Sequence, residues 1–214
     1  MSAPETAAPR RDPERRAQLL AAADKAIAAH GAAVRMEDIA AEAGVTKPIL
    51  YRHFGDKGGL YEAVARRAAR TIEERLEVAL VEADGPRAKL RTTIDAFLGA
   101  VEERPGTYRF LLHTAAAERP EVSQAVGDFT SELGRRLAGV LREQFARYGL
   151  EVRHAELLAH ALIGSVHQVS AWWLSGRDAA GREIERGQLT ELLVRLLWSG
   201  LPSVGIEEPA DARG

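Results

Sequence analysis

Apolar residues recur along this chain at helical spacing, in runs cut by Gly and Pro, and no five-residue stretch alternates as a half-buried strand would. The pattern predicts an all-α fold. A first helix runs from about residue 13 to 29, with Leu19, Leu20, Ala23 and Ile27 on one face and Gly31 as its stop. Two short helices follow, at about 37–43 and 47–53, separated by Gly44–Val45–Thr46. Asp56 is placed to cap a long helix reaching about residue 81. That helix carries Leu60, Val64, Ile72, Leu76 and Leu80, mostly four apart. Each four-residue step drifts about 40° around the axis, so Leu60 and Leu76 point roughly 160° apart. One helix is therefore expected to serve two cores, as a strut between domains.

Further along, Pro86 opens a helix with Leu90, Ile94, Phe97, Leu98 and Val101, and Arg104–Pro105–Gly106 breaks it. Helices are expected at about 107–117, at about 120–149, at about 152–174 and at about 182–199. The ends, residues 1–12 and 202–214, read as disordered tails from their Pro, Gly and charge.

Composition narrows the function. The 214 residues hold 29 Lys or Arg against 31 Asp or Glu, a net charge of -2, so any DNA site must be a local patch rather than a basic coat. With no cysteine, disulfides, Cys-ligated zinc, iron–sulfur clusters and cysteine nucleophiles are excluded. No apolar run approaches the roughly 20 residues that span a bilayer, and Met1–Pro13 lacks the apolar core of a signal peptide. The expected location is the cytoplasm, with no membrane partner.

The informative stretch is Ile39-Ala40-Ala41-Glu42-Ala43-Gly44-Val45-Thr46-Lys47-Pro48-Ile49-Leu50-Tyr51-Arg52-His53-Phe54. Two short helices meeting at a Gly-initiated turn make a helix-turn-helix. Ala40 lets the second helix come close, Gly44 takes the left-handed conformation that ends the first, and Val45 plugs the gap. Thr46 stands at the N-cap and Pro48 in the first turn, where amides have no helical partner. Leu50 and Phe54 face inward, leaving Lys47, Ile49, Tyr51, Arg52 and His53 as a polar, basic and aromatic face. Helix N-terminal amides at Thr46–Lys47 add a phosphate site.

Residues 15–64 resemble the DNA-binding domain of the tetracycline-repressor (TetR) family of regulators. The resemblance rests on Ile39-Ala40, Ala43-Gly44-Val45, Leu50-Tyr51-Arg52-His53-Phe54, Lys57 and Leu60. It implies phosphate contacts from Thr46, Tyr51, His53 and Lys57, and places Lys47, Ile49 and Arg52 near base edges. Ile27 stands where the family often has Phe. Arg35–Met36 stand where it often has Thr or Ser, which weakens the usual cap and makes Arg35 the candidate phosphate contact there.

Beyond residue 81 the resemblance implies architecture alone: a helical ligand-binding and dimerisation domain whose last two helices form a four-helix interface. The expected division is a DNA-binding domain over 13–55 and a regulatory domain over 56–201. Dimer contacts are expected from Leu158, Leu162, Gly164, Val169 and Trp173, and from Leu189, Leu192, Leu193, Leu196 and Leu197, the last five a stripe too hydrophobic to leave exposed. Phe97, Tyr108, Phe110, His113, Phe129 and His167 are the candidate ligand residues, being aromatic with few polar anchors. The implied partners are operator DNA, a second copy of the chain, and a hydrophobic or amphipathic small molecule. The implied role is a regulator, a repressor above all, without enzymatic activity, cofactor or metal.

Other assignments stay open. Arg10, Arg11, Arg15 and Arg16 suit either a DNA-contacting arm or a solvated helix start. His113, His160 and His167, with Trp172–Trp173 and Trp198, suit core or dimer-interface packing, or contact with a ligand. Glu156 and His160 are spaced as metal ligands on one helix face, without the second pair that a bundle metalloenzyme needs. A ligand-independent DNA-packaging protein would be small and strongly basic, which this chain is not.

Overall fold

A computed structural model describes residues 13–111, 120–147, 151–176 and 184–200. Among them the regular structure is helical throughout: α1 (Pro13–His30), α2 (Met36–Glu42), α3 (Lys47–Phe54), α4 (Lys57–Glu82), α5 (Pro86–Glu103), α6 (Pro105–Arg109), α7 (Pro120–Arg147), α8 (Ala155–Gly176) and α9 (Arg186–Ser199). Short 3-10 turns cover Gly31–Ala33 and Val152–His154.

The boundaries follow local chemistry. Gly44 and Gly55 both have positive φ (60° and 82°), and each reverses the chain after a short helix. Asp56 caps α4 by accepting a 2.8 Å bond from the Gly59 amide. α2 begins unusually. Arg35 occupies its N-cap and donates to Asp38, whose carboxylate accepts from the Arg35 backbone at 2.9 Å and from its guanidinium at 3.0 Å. The cap that Arg35 was expected to weaken is thus rebuilt from the opposite direction, with an acid three residues on doing the accepting.

Three apolar clusters hold the helices together. The first joins α1, α2, α3 and the start of α4 through Leu19, Ile27, Ile39, Leu50, Leu60 and Val64. It also takes in Phe110, Leu111, Val122 and Ala125, so this core does not end at residue 55 as the expected domain division has it. The second lies between α5, α8 and α9 and contains Ile94, Leu98, Trp173, Leu189, Leu193 and Val194. The third, Ile72, Leu76, Phe97, Val101 and Leu174, lies between α4, α5 and α8, with Tyr108, Phe129 and Leu133 packed against it. α4 lends Leu60 and Val64 to the first cluster and Ile72 and Leu76 to the third, the strut that its sequence pattern predicts.

Ion pairs bind α9 to the outer face of α5. Arg186 meets Asp95 at 3.2 Å and Glu102 at 3.3 Å, and Arg91 meets Glu191 at 2.5 Å. α6 seats against α1. There Asp24 lies 3.2 Å from Arg104 and 3.9 Å from Arg67. Burial pushes the Asp24 carboxyl above its ordinary range, and the two arginines oppose that rise.

Two glycines predict opposite responses to the same substitution. A Cβ on Gly59 would overlap the Phe54 carbonyl oxygen, whereas one on Gly127 in α7 meets nothing within 4 Å. Gly59→Ala should lower stability by about 1–3 kcal/mol, because the α3–α4 corner must spread. Gly127→Ala should raise it by about 0.5–1 kcal/mol by removing backbone freedom from the unfolded chain. Thermal unfolding of both variants checks the pair, and a Gly59→Ala protein as stable as the parent would contradict the corner geometry.

Candidate nucleic-acid interface

The sequence between Arg35 and Lys57 folds into α2, a tight turn and α3, with α3 packed on α4. Leu50 and Phe54 are buried, so the opposite side of α3 faces outward. Lys47, Pro48, Tyr51 and Arg52 are exposed there, and Ile49 and His53 are half-buried. Thr46 holds the extended N-cap conformation, yet its hydroxyl makes no capping bond, which corrects the role expected of it. The hydroxyl remains a candidate phosphate donor beside the first amides of α3. The Lys57 ammonium lies 5.3 Å from the Tyr61 ring centre, a cation–π contact. His53 has a buried Nδ1 without a partner among the described residues.

Two of the expected DNA cations are engaged by acids. The Arg35 guanidinium donates to Asp38, whose carboxyl is held down at about 2 by that bonding. The Lys47 ammonium donates to Glu37 at 2.6 Å. This second pair links residues ten apart on different helices, so no helical spacing rule announces it. Of the N-terminal arginines, Arg10 and Arg11 lie outside the described residues. Arg15 donates to Gln18 at 3.0 Å, and Arg16 stacks 4.8 Å over the Phe54 ring at the end of α3.

The expected ligand residues divide. Phe97, Tyr108, Phe129 and His167 gather on the inner side of α5 to α8: the Phe97 and Tyr108 rings are 6.1 Å apart, and Tyr108 and His167 are 6.2 Å apart. Phe110 is not among them. It is 3% exposed and stacks edge-on against Tyr61 at 4.7 Å, inside the first core. Its position one turn past the α5–α6 break turns it toward α4 rather than toward Phe97. His113 lies outside the described residues. Burial raises the Tyr108 hydroxyl pKa and lowers that of His167, so both are neutral near pH 7. The Tyr108 hydroxyl is buried with no partner among the described residues. The space beside it is small, about 30 Å³ lined by Ile72, Ala100, Thr107 and Tyr108, enough for a water. A larger open cleft of about 790 Å³ lies elsewhere, between the α4–α5 corner and the ends of α7 and α9, lined by Arg87, Arg91, Leu141, Phe145 and Trp198.

The expected dimer residues divide as well. Leu189 and Leu193 are 4% and 3% exposed and belong to the second core, where α9 packs on α5. They cannot form a surface that another copy touches, which corrects that assignment. Val169 and Leu197 lean on the same core, and Leu162 and Leu196 are half-buried. Leu158 and Gly164 are exposed. Leu157, which the expectation lacked, is large, apolar and exposed, as are Trp172 and Leu192. Leu157, Ala161, Gly164, Gln168 and Trp172 make one outward stripe along α8 at helical spacing. Trp173, by contrast, is buried and donates its indole N–H to the Ile184 carbonyl at 2.8 Å. His160 Nδ1 lies 2.9 Å from the Glu156 carbonyl, and no group of three or more His, Cys, Asp or Glu residues gathers among the described residues. No described helix is long and apolar enough to cross a membrane.

Comparison with known proteins places both halves of the chain. Residues 19–64 match the family model described as bacterial regulatory proteins, tetR family, and residues 75–212 match the tetracyclin repressor-like C-terminal domain. The HTH-type transcriptional regulator Rv0472c of Mycobacterium tuberculosis is 32% identical over 189 residues, covering 88% of this chain and 77% of its own. The HTH-type transcriptional activator FasR of Mycolicibacterium smegmatis is 30% identical over 192 residues, covering 89% of this chain and 84% of its own. The fold is shared with the FadR transcriptional regulator of Bacillus subtilis, solved in complex with stearoyl-CoA: the TM-score is 0.73 at 20% identity, over 86% of this chain and 98% of that one. The chain belongs to the tetR family of bacterial transcriptional regulators.

Proposed function

We propose that this regulator acts in the cytoplasm as a homodimer, most simply a repressor, which leaves a palindromic operator when a hydrophobic or amphipathic small molecule binds its helical domain. The observation that carries the reading is the outward face of α3, where Lys47, Tyr51 and Arg52 are exposed above a buried Leu50 and Phe54. A helix held this way by its inner side enters a major groove with its outer side. The activator named among the relatives supports a second reading, in which the same site recruits rather than blocks transcription.

The stripe on α8 supports the dimer. Leu157, Trp172 and, on α9, Leu192 expose apolar area that a monomer would leave in water. A two-fold pairing through these helices would cover it and set two α3 helices for two half-sites.

Effector binding is drawn to the third core, beside Tyr108 and His167. The buried Tyr108 hydroxyl, without a partner among the described residues, gives a ligand one polar anchor among aromatic walls. Because the space there is now about 30 Å³, a ligand must part α4, α5 and α6 to enter. α6 is the short route outward. It carries Gly106 so close to α1 that an added Cβ would lie 3.0 Å from the Ala28 Cα, and Arg104 beside it pairs with Asp24. A shift of α6 thus moves the DNA-binding head, which is the differential contact that linkage requires. The stearoyl-CoA held by a protein of the same fold makes acyl-CoA esters the first compounds to assay.

Three outcomes test these points. Trp172→Glu should shift sedimentation from dimer to monomer with the fold kept. Leu193→Glu should instead unfold the chain, since it places a charge in the core. A dimeric Trp172→Glu protein would place the interface elsewhere. On DNA, affinity should fall steeply with salt. Tyr51→Phe should weaken all operators alike, whereas Arg52→Ala should flatten preference at one base position per half-site at about 1–3 kcal/mol. Equal losses on specific and random duplex after Arg52→Ala would remove its base-reading role. Tyr108→Phe should raise the acyl-CoA concentration needed to release DNA and leave ligand-free DNA affinity nearly unchanged. A loss of DNA binding and thermal stability together would make Tyr108 a core residue only.

A further inference from the structure

The first turn of α2 holds two consecutive acids with different employment. Asp38 closes the α2 cap with Arg35. Glu37 takes no part in that cap. Its carboxylate reaches the ammonium of Lys47, the first residue of α3, at 2.6 Å. The pair stands at the edge of the face that carries Tyr51 and Arg52, and both side chains are about half exposed (53% and 46%). An acid is unexpected on a surface that must approach polyphosphate, since an exposed carboxylate there repels the backbone.

The bonding explains what it can do. A lone lysine at the start of a recognition helix is a flexible point charge that can donate to phosphates or to guanine acceptors, and its phosphate contacts carry no sequence information. Lys47 is not alone. Held by Glu37, its charge is offset and its ammonium is fixed, with two N–H groups left to donate. Glu37 keeps a second oxygen able to accept. The N-terminal end of α2 favours the ionised carboxylate, which sits below its usual range because Lys47 donates to it. Across the major groove a G·C pair offers two adjacent acceptors, guanine N7 and O6, and then one donor, the cytosine N4 amine. A·T offers acceptor, donor, acceptor. The Lys47–Glu37 pair presents donors and then an acceptor, which is the complement of G·C.

We propose that Glu37 is a specificity-determining residue, which by holding Lys47 converts a phosphate-seeking cation into the reader of one G·C pair in each half-site. The proposal rests on the DNA-binding reading of α3. It places the contact on two helices at once, Lys47 on guanine and Glu37 on the paired cytosine. It also gives Glu37 a second effect: by neutralising Lys47 it lowers affinity for DNA of any sequence.

The test is selection from a pool of randomised duplexes by the full chain and by Glu37→Gln, followed by binding to the enriched site and to random duplex at several salt concentrations. The parent should enrich an inverted repeat with G·C fixed at one position of each half. Glu37→Gln should enrich the same repeat with that position relaxed. It should bind random duplex several-fold more tightly, and the slope of log K against log salt should steepen by about 0.9, as one more phosphate contact requires. Lys47→Ala should relax the same position without the gain on random DNA. Unchanged base preference and unchanged random binding after Glu37→Gln would overturn the proposal and leave the pair a surface ion pair of little consequence. A parallel fall in both affinities, with an earlier thermal transition, would overturn it too, by making Glu37 structural. No repeat enriched by the parent would overturn the DNA-site reading itself, and the proposal with it.

Discussion

Helix α4 must satisfy two cores that lie in different directions from its axis. Leu60 and Val64 close the helix-turn-helix, and two turns later Ile72 and Leu76 close the helical domain. Because the helix is stiff over 26 residues, the position of one core fixes the orientation of the other. Phe110, Leu111, Val122 and Ala125 then enter the first core from the far side, so the DNA-binding head is seated on the rest of the chain rather than tethered to it. A head on a loose linker could not be turned by an event near Tyr108.

That seating makes α6 significant beyond its five residues. On one side it continues into Phe110, which stacks on Tyr61 of α4, and it carries Tyr108, which meets Phe97 and His167. On the other it presents Gly106 and the preceding Arg104 to α1. Packed cores respond to an inserted group by discrete repacking rather than smooth yielding, and α6 is the element that touches both Tyr108's surroundings and α1. The arginine clasp on Asp24 adds a polar stop to the same contact: a partly buried carboxylate is costly to leave unpaired.

The surface chemistry of the head is more balanced than its composition suggests. Arg35 and Lys47 look like free phosphate donors along the sequence, yet each is bound to an acid of α2. The charge of both cations is therefore partly offset by acids of α2. Arg52, exposed on the outer face of α3, has no acid partner among the described residues.

The helices themselves were legible from one-dimensional pattern. Helical spacing of apolar residues, Gly at the positive-φ turns and Asp56 at the α4 cap are local signals, and local signals act within a few residues of where they are written. The helix-turn-helix was legible for the same reason, since its turn and caps are contiguous. Which side of a helix meets which neighbour was not. Leu193 and Leu192 are adjacent and equally apolar, but Leu193 is swallowed by α5 and Leu192 is left outside, and only the docking of α9 decides between them. Phe110 is aromatic like Phe97, yet one turn of helix past the α5–α6 break sends it into the other core. Glu37 finds Lys47 because α2 crosses α3, an encounter of residues ten apart on separate helices. Periodicity says that a helix has an apolar side; the partners that side finds are set by packing among distant segments.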